Sequence, residues 1–247
     1  MTNPSDQTKN NFLLKTGALF FRYRNFLFPS LLILTFLVSR PGFFLNDLSK
    51  DQIWVFAGIL IALAGEAFRL AVIGYAYIKR GGLKGKVYAD HLVIKGFYAH
   101  TRNPMYFGNM LIVIGLCMIY GSPFAYLGVI PFFSFVYLSI VVTEENYLRG
   151  RFGAEYDAYT KRVNRFWPNF YGIQKSLEEF RYDWKKALRK DYGNVFVTVF
   201  FIILCRTWKD YLLLGAFALR FGVLALFCLT LFYFIIRYLK LNGHMVS

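Results

Sequence analysis

Apolar residues run through this chain in long stretches separated by short polar or basic ones. A helix rises about 1.5 Å per residue, so about 20 apolar residues cross a hydrocarbon core of about 30 Å. Gln52–Ile78, Pro123–Val142 and Tyr211–Ile236 meet that length. Asn25–Ser39 meets it when extended back through Ala18–Phe21. Met105–Tyr120 and Gly193–Cys205 are shorter and are expected to form hairpins with the spans that follow. The pattern predicts an all-α polytopic transmembrane bundle of about six spans. Between the fourth and fifth spans, Leu177, Phe180, Trp184, Leu188 and Tyr192 recur at spacings of three and four, with Lys175, Arg181, Lys185, Lys186, Arg189 and Lys190 on most other faces. Such a stripe predicts an amphipathic helix lying in the membrane interface, or else a solvated linker helix.

Composition strengthens the membrane reading. The 247 residues are 57% hydrophobic and 20% aromatic, against about half apolar in soluble domains. Met1–Asn10 is polar and lacks the order of a cleaved signal, so the first span is expected to stay in the protein. Cys117, Cys205 and Cys228 sit inside apolar runs without CxxC spacing, which argues for packing and against a disulfide framework or a zinc site.

Charge adds a topology. The net charge of +15 is distributed unevenly over the loops. The N-terminal arm holds Lys9, Lys15, Arg22 and Arg24 against Asp6, and the first loop balances Arg40 and Lys50 with Asp47 and Asp51. Lys79, Arg80, Lys84, Lys86, Lys95 and Arg102 crowd the second loop against Asp90, whereas the third is only Gly121-Ser122-Pro123. Thr143–Tyr192 carries eleven Lys or Arg, the next loop Arg206 and Lys209, and the tail Arg237 and Lys240. Basic loops therefore alternate with poor ones, which places both termini and the two large loops in the cytoplasm. The expected setting is a bacterial or archaeal cell membrane, or the endoplasmic reticulum of a eukaryote. The basic clusters border apolar spans and mix with Trp and Tyr, so an anionic phospholipid surface is a simpler partner than nucleic acid.

The chain divides into an arm (1–17), spans one and two (18–78), a core with spans three and four (79–172), the amphipathic helix (173–192) and a C-terminal hairpin with its tail (193–247). Nothing in the hairpin resembles a site, no internal repeat occurs, and no feature specifies an oligomeric state.

The chemistry concentrates in Asp90–Gly108. Asn103-Pro104 precedes the apolar run of span three, and Asn is a favoured N-cap while Pro is favoured at the first helical position. A helix N-terminus there receives a carboxylate or phosphate through its amides and dipole, with Arg102 as an added cation and Tyr98 and Tyr106 as flat faces. The bland alternative is a well-capped helix with interfacial aromatics. Glu144-Glu145 ends span four, where two carboxylates face the negative end of the dipole and require a cation. Arg149 and Arg151 are candidates for that role, and so is a cationic ligand. Spans three and four share a three-residue turn, so both sites lie on one membrane face. One accepts an anion and the other a cation, which suits S-adenosyl-L-methionine. In span two, Glu66 and Arg69 share a helix face and either neutralise each other or line a cavity.

Gly96, Tyr98, Arg102, Asn103, Pro104, Tyr106 and Gly108, then Glu144-Glu145, then Phe152-Gly153, Glu155-Tyr156, Tyr159 and Val163 follow one another in a recognisable order. Over roughly residues 55–170 the chain resembles the isoprenylcysteine carboxyl methyltransferase family and its phospholipid methyltransferase relatives. The resemblance implies an integral-membrane methyltransferase with S-adenosyl-L-methionine as cofactor and a membrane lipid or lipophilic small molecule as substrate. It implies cofactor contacts from His91, Leu92, Val93, Tyr98, Asn103, Pro104, Met105, Tyr106 and Glu144, with Arg69, Arg102 and Glu145 as catalytic residues. The carboxyl methyltransferases carry a substrate-binding Arg one helical turn before the matching Glu, and this chain has Ile140 there. No metal is expected, because a sulfonium is already an activated methyl donor. A carboxylate or thiolate acceptor needs no base, whereas an amine sheds a proton to Glu145 or a tyrosine. The alternatives are a phospholipid N-methyltransferase, a sterol-reductase-like NADPH oxidoreductase, which would require an extended basic pocket, and a non-enzymatic membrane protein.

Reporter fusions at Ser247 and near Asp47 are expected to read opposite sides of the membrane. Equal sidedness at the two positions would overturn the six-span topology.

Overall fold

In a computed structural model of the protein, residues 4–75, 87–215 and 217–241 are described. The predicted loop charges Lys79, Arg80, Lys84 and Lys86, together with His244 and Ser247, lie outside the described residues. The long helices are α1 (Pro4–Val38), α2 (Leu48–Tyr75), α3 (Pro104–Tyr120), α4 (Ile130–Phe152), α7 (Trp184–Leu214) and α8 (Phe217–Leu241). A π-helical turn, Ala125–Val129, leads into α4. Two short helices, α5 (Ala154–Arg162) and α6 (Ile173–Glu178), lie between α4 and α7. No strand occurs among the described residues, and the predicted all-α bundle is observed.

Each of the six apolar segments coincides with one long helix. Leu48–Tyr75, Ala125–Phe152 and Leu219–Tyr238 are long and apolar enough to span a membrane. A fourth span results if the sharply bent pair Asn11–Arg24 and Pro29–Val38 counts as one. Pro29 sits at that bend, where its ring removes a helical hydrogen bond and pushes on the preceding turn. α3 is apolar but only 17 residues long.

Antiparallel α2 and α3 form the most intimate pair. Apolar packing gains little between helices already surrounded by lipid, so small residues that admit close backbone approach set such contacts. Gly58, Ala62 and Gly65 of α2 face Gly108 and Gly115 of α3. A Cβ on Gly65 would stand 2.6 Å from the Gly108 carbonyl oxygen, and one on Gly58 would stand 2.8 Å from that of Gly115. Seven residues separate the paired glycines on each helix, which is about two turns. α1 crosses α4 in the same manner, with Gly17 pressed on the Ser139 backbone. α7 packs on both α2 and α3, with α8 outside it.

Several boundaries differ from the sequence expectations. Residues 4–17, expected as a loose arm, are the opening turns of α1, because Gly17 and Leu14 are held against α4; the Leu14 carbonyl accepts from Thr143 Oγ1 at 3.3 Å. The expected amphipathic helix is interrupted before Trp184. Asp183 caps a new helix by accepting from the Lys186 amide at 2.8 Å, and that helix runs without a break through Tyr192 into the fifth apolar segment. Leu177 and Phe180 lie over the turn at Gly96 instead of facing outward with Trp184 and Leu188. The fifth helix also continues past Cys205 and stops at Leu214, where Gly215 takes φ 94°, a left-handed conformation that glycine adopts without strain. Arg206 and Lys209 are therefore helical, not in a loop. Lys209 Nζ donates to Asp51 at 2.6 Å, both side chains are 1% exposed, and Asp51 also accepts from the Phe44 amide at 2.9 Å.

Gly65→Val is expected to destabilise the bundle by at least ~1–3 kcal/mol, because backbone must move to admit the branch. Gly150→Ala, which meets nothing within 4 Å, should be neutral or gain about 0.5–1 kcal/mol. Thermal unfolding in detergent distinguishes the two, and indistinguishable melting temperatures would refute the seam.

Candidate active site

The α2–α3 seam fixes what lies one turn beyond it. Gly108 leaves room for the Arg69 side chain, since a Cβ there would stand 2.7 Å from Arg69 Cγ. Arg69 thereby reaches Asn109 Oδ1 with Nη1 and binds Asp191 of α7, with Nη2–Oδ1 at 2.7 Å and Nε–Oδ2 at 3.2 Å. Glu66 turns to the same helix, accepting from Asn194 Nδ2 at 2.8 Å and Thr198 Oγ1 at 2.7 Å. Glu66 and Arg69 make no hydrogen bond or ion pair with each other; α7 binds Arg69 and Glu66 Oε2, while Glu66 Oε1 is buried without a hydrogen-bond partner among the described residues.

Beside this network lies a cavity of about 860 Å³. One wall is the extended segment Val87–Val93 with Tyr98, Arg102, Asn103 and Met105; another is the start of α3 and the end of α4, with Tyr106, Asn109, Tyr137, Glu144, Glu145 and Leu148. α7 contributes Lys190, Asp191, Asn194, Val197 and Thr198, α8 contributes Tyr233, and α1 contributes Arg24 and Pro29. Of the residues singled out in the sequence, Arg69, His91, Leu92, Val93, Tyr98, Arg102, Asn103, Met105, Tyr106, Glu144 and Glu145 all line this one cavity. Pro104 does not; it is buried as the first residue of α3.

The two adjacent carboxylates have unlike environments. Glu145 is buried and fully engaged: Arg102 Nη1 stands 3.1 Å from Oε1, and Arg165 Nη2 stands 2.8 Å from Oε2. The expected neutralisers turn elsewhere, since Arg149 binds Asp157 at 2.7 Å and Arg151 lies over the Tyr88 ring. Glu144 accepts one hydrogen bond, from the Tyr106 hydroxyl at 3.0 Å, and makes no ion pair among the described residues. Burial first, and the charge of Glu144 second, push the Tyr98 phenol above its usual range. Burial and then Glu145 push Tyr156 up to about 12. Such phenols stay protonated at neutral pH and donate hydrogen bonds, so neither is a proton acceptor. Both Glu145 oxygens are thus engaged by guanidiniums, those of Arg102 and Arg165.

Asn103 occupies the N-cap position without capping through its side chain. Its backbone carbonyl accepts from the Tyr106 and Phe107 amides, and its Nδ2 donates to the Arg165 carbonyl at 3.0 Å. That bond is one of a row. The Arg102 amide donates to Asn164 O at 2.9 Å, Thr101 Oγ1 to Phe166 O at 3.0 Å, and the Asn169 amide to His100 O at 3.0 Å. His100, unassigned in the sequence, bonds Asn169 O and stands 2.9 Å from Ser176 Oγ. Residues 164–169 thus form a strap laid along 100–103. It starts from the turn at Gly153, whose φ of 51° lets α5 fold back and bury Tyr156 and Tyr159. Tyr159 closes the strap by donating to the Tyr98 carbonyl at 2.7 Å.

Residues 53–155 match the family model of phospholipid methyltransferases. Over this segment, less than half of its length, the chain is similar to that membrane methyltransferase family. The matched region carries most of α2 and all of α3 and α4, along with most of the cavity wall, and stops short of the strap and α7. No curated protein and no solved structure gave a match. The apolar helices, together with this match, support an integral-membrane protein.

The sequence missed Arg24, Arg165 and the α7 residues. Asp191, Asn194 and Thr198 fall on one helical face inside an otherwise apolar run, and that polar stripe was the available signal.

Asn103→Asp is expected to loosen the strap, since Asp lacks the Nδ2 donor and sets a carboxylate against the Arg165 carbonyl. The loss should be about 1–3 kcal/mol, seen as faster proteolysis around Arg165 and a lower melting temperature. Unchanged protease resistance would mean that the bond holds nothing.

Proposed function

We propose that the protein transfers the methyl group of S-adenosyl-L-methionine to a lipophilic acceptor reached from the bilayer. Glu144 carries this reading. It is a carboxylate in a large cavity, held by one tyrosine and without an ion pair among the described residues; Arg24 bears on it electrostatically without pairing, and the other nearby guanidiniums are ion-paired with other acids. Leaving such a charge unpartnered in a low-dielectric site is unfavourable, so a cationic ligand fits there. When bound, S-adenosyl-L-methionine supplies a methyl group already activated by its sulfonium. Glu144 would receive the ammonium, Leu92, Val93 and Tyr98 would bound the flat base, and Asn103 and Met105 would sit at the helix end toward the carboxylate. The protein's work is then to align donor and acceptor and to exclude water.

A phospholipid amine is the better candidate acceptor, with a prenylcysteine carboxylate second. The family description favours the former. Ile140, which stands where a carboxylate-binding Arg would be, is wholly buried among Phe21 and Val136. The amine, its ammonium proton lost to water, would attack the methyl carbon as the carbon–sulfur bond breaks, leaving neutral-sulfur adenosylhomocysteine and a methylated ammonium that carries the positive charge. The cavity's sidedness in this reading is cytoplasmic. A sterol-reductase-like function would instead ask for a cationic pocket free to take a 2′-phosphate, whereas Arg69, Arg102 and Arg165 are already committed to carboxylates.

Protein in vesicles, incubated with methyl-labelled cofactor and either phosphatidylethanolamine or N-acetyl-S-farnesylcysteine, should label the lipid extract. Glu144→Gln should weaken adenosylhomocysteine binding roughly tenfold to a hundredfold with the fold intact, since a charge-assisted hydrogen bond contributes about 1.5–3 kcal/mol. Unchanged calorimetric affinity would falsify the role of Glu144, and stabilisation by nicotinamide dinucleotides instead of adenosylhomocysteine would favour the reductase.

A further inference from the structure

Helix α7 lies wholly outside the family-matched residues, yet it supplies the partner of the one guanidinium that α2 brings to the cavity. The Asp191 side chain has no exposure, that of Arg69 is 8% exposed, and both residues line the cavity. A guanidinium in a membrane-embedded wall has many rotamers, and an ion pair alone does not choose among them. Here two groups do. Asp191 engages Nε and Nη2 in a fork, which sets the plane of the guanidinium, and Asn109 engages Nη1, which sets its direction. Four hydrogen bonds against five N–H donors leave at least one donor uncommitted. The pair is neutral overall, so the donor is presented without a net charge to repel or trap a ligand.

The cavity's other features indicate which ligand meets it. The cofactor reading above uses Glu144, Leu92, Val93, Tyr98, Asn103 and Met105. It leaves Arg69, Asn109, Val197 and Tyr137, which line the same cavity, for a second ligand. We infer that Asp191 is a positioning residue that holds Arg69 in register for an oxygen of the acceptor's head group. This rests on the methyl-transfer reading above. The C-terminal hairpin is accordingly part of the active site, not an appendage.

The test separates acceptor use from cofactor binding. In vesicles, Asp191→Asn should keep wild-type affinity for adenosylhomocysteine and raise the acceptor KM, or lower kcat/KM, by roughly a hundredfold, as expected for a misplaced contact. Asp191→Glu keeps the charge balance and therefore folds even if Asp191→Asn does not; its longer stem shifts the guanidinium. It should show an intermediate acceptor defect, again with adenosylhomocysteine affinity unchanged. Adding Asp191→Asn to Arg69→Ala should cost no further activity, because nothing remains to position. Wild-type kinetics in Asp191→Glu, equal losses of cofactor affinity and turnover, or additive losses in the double variant would each overturn the inference. If the wild type binds no adenosylhomocysteine and labels neither acceptor, the methyl-transfer reading itself fails and the inference falls with it.

Discussion

The structure depends on how closely two helices can approach inside lipid. Between α2 and α3 the contact is backbone on backbone, made possible by glycines two turns apart on each helix. In lipid no hydrophobic drive would correct a loose fit, so close contact itself specifies the register. Once Gly65 sits on Gly108, Arg69 has only one place to go, over Gly108 and toward Asn109. The same seam brings the start of α3 to the level of the α2 residues that bind α7. The wall of the cavity is thus set by residues that contribute no chemistry of their own.

Around that wall and beyond it, several buried ionisable groups are ion-paired. Arg69 has Asp191, Glu145 has Arg102 and Arg165, and Asp51 has Lys209 near the opposite end of the bundle. Such buried pairs are weak evidence of stabilisation, because desolvation offsets most of the attraction. Their value is geometric, in that each joins elements remote in sequence. Against this background Glu144 stands out by having only a tyrosine. An unpaired carboxylate next to a doubly paired one is an asymmetry that packing alone has no reason to produce.

Much of the fold was legible because apolar length is a local property. The six segments each correspond to a helix, and the Asn103-Pro104 boundary of α3 falls where the residues indicate. The cavity was legible to the extent that its residues cluster in sequence, in the segment before α3 and at the end of α4. What escaped was long-range pairing. Asp51 and Lys209 read as charges of two separate loops, and the shared face of Glu66 and Arg69 left open whether they neutralise each other or line a cavity, with no sign of Asp191. Asn103 read as a cap by type, although its side chain serves the strap instead. Capping preference describes an isolated helix end, and it yields when a second chain segment offers a better-placed carbonyl. The amphipathic stripe before α7 failed for a related reason: periodicity carried across Asp183, which starts a new helix.

The separation of partners along the chain also has a consequence in time. Asp191 follows Arg69 by 122 residues, and Asn194 follows Glu66 by 128. At about 5–20 residues per second, synthesis leaves both α2 charges without their final partners for roughly 6–26 s after they emerge. During that interval the family segment is already complete in sequence but holds an arginine and a glutamate at membrane depth. Those groups must stay near water, a headgroup or the insertion machinery until α7 arrives. Assembly of the cavity is therefore paced by the last hairpin, and the charges that finish the site are also the ones that keep it open while the chain is being made.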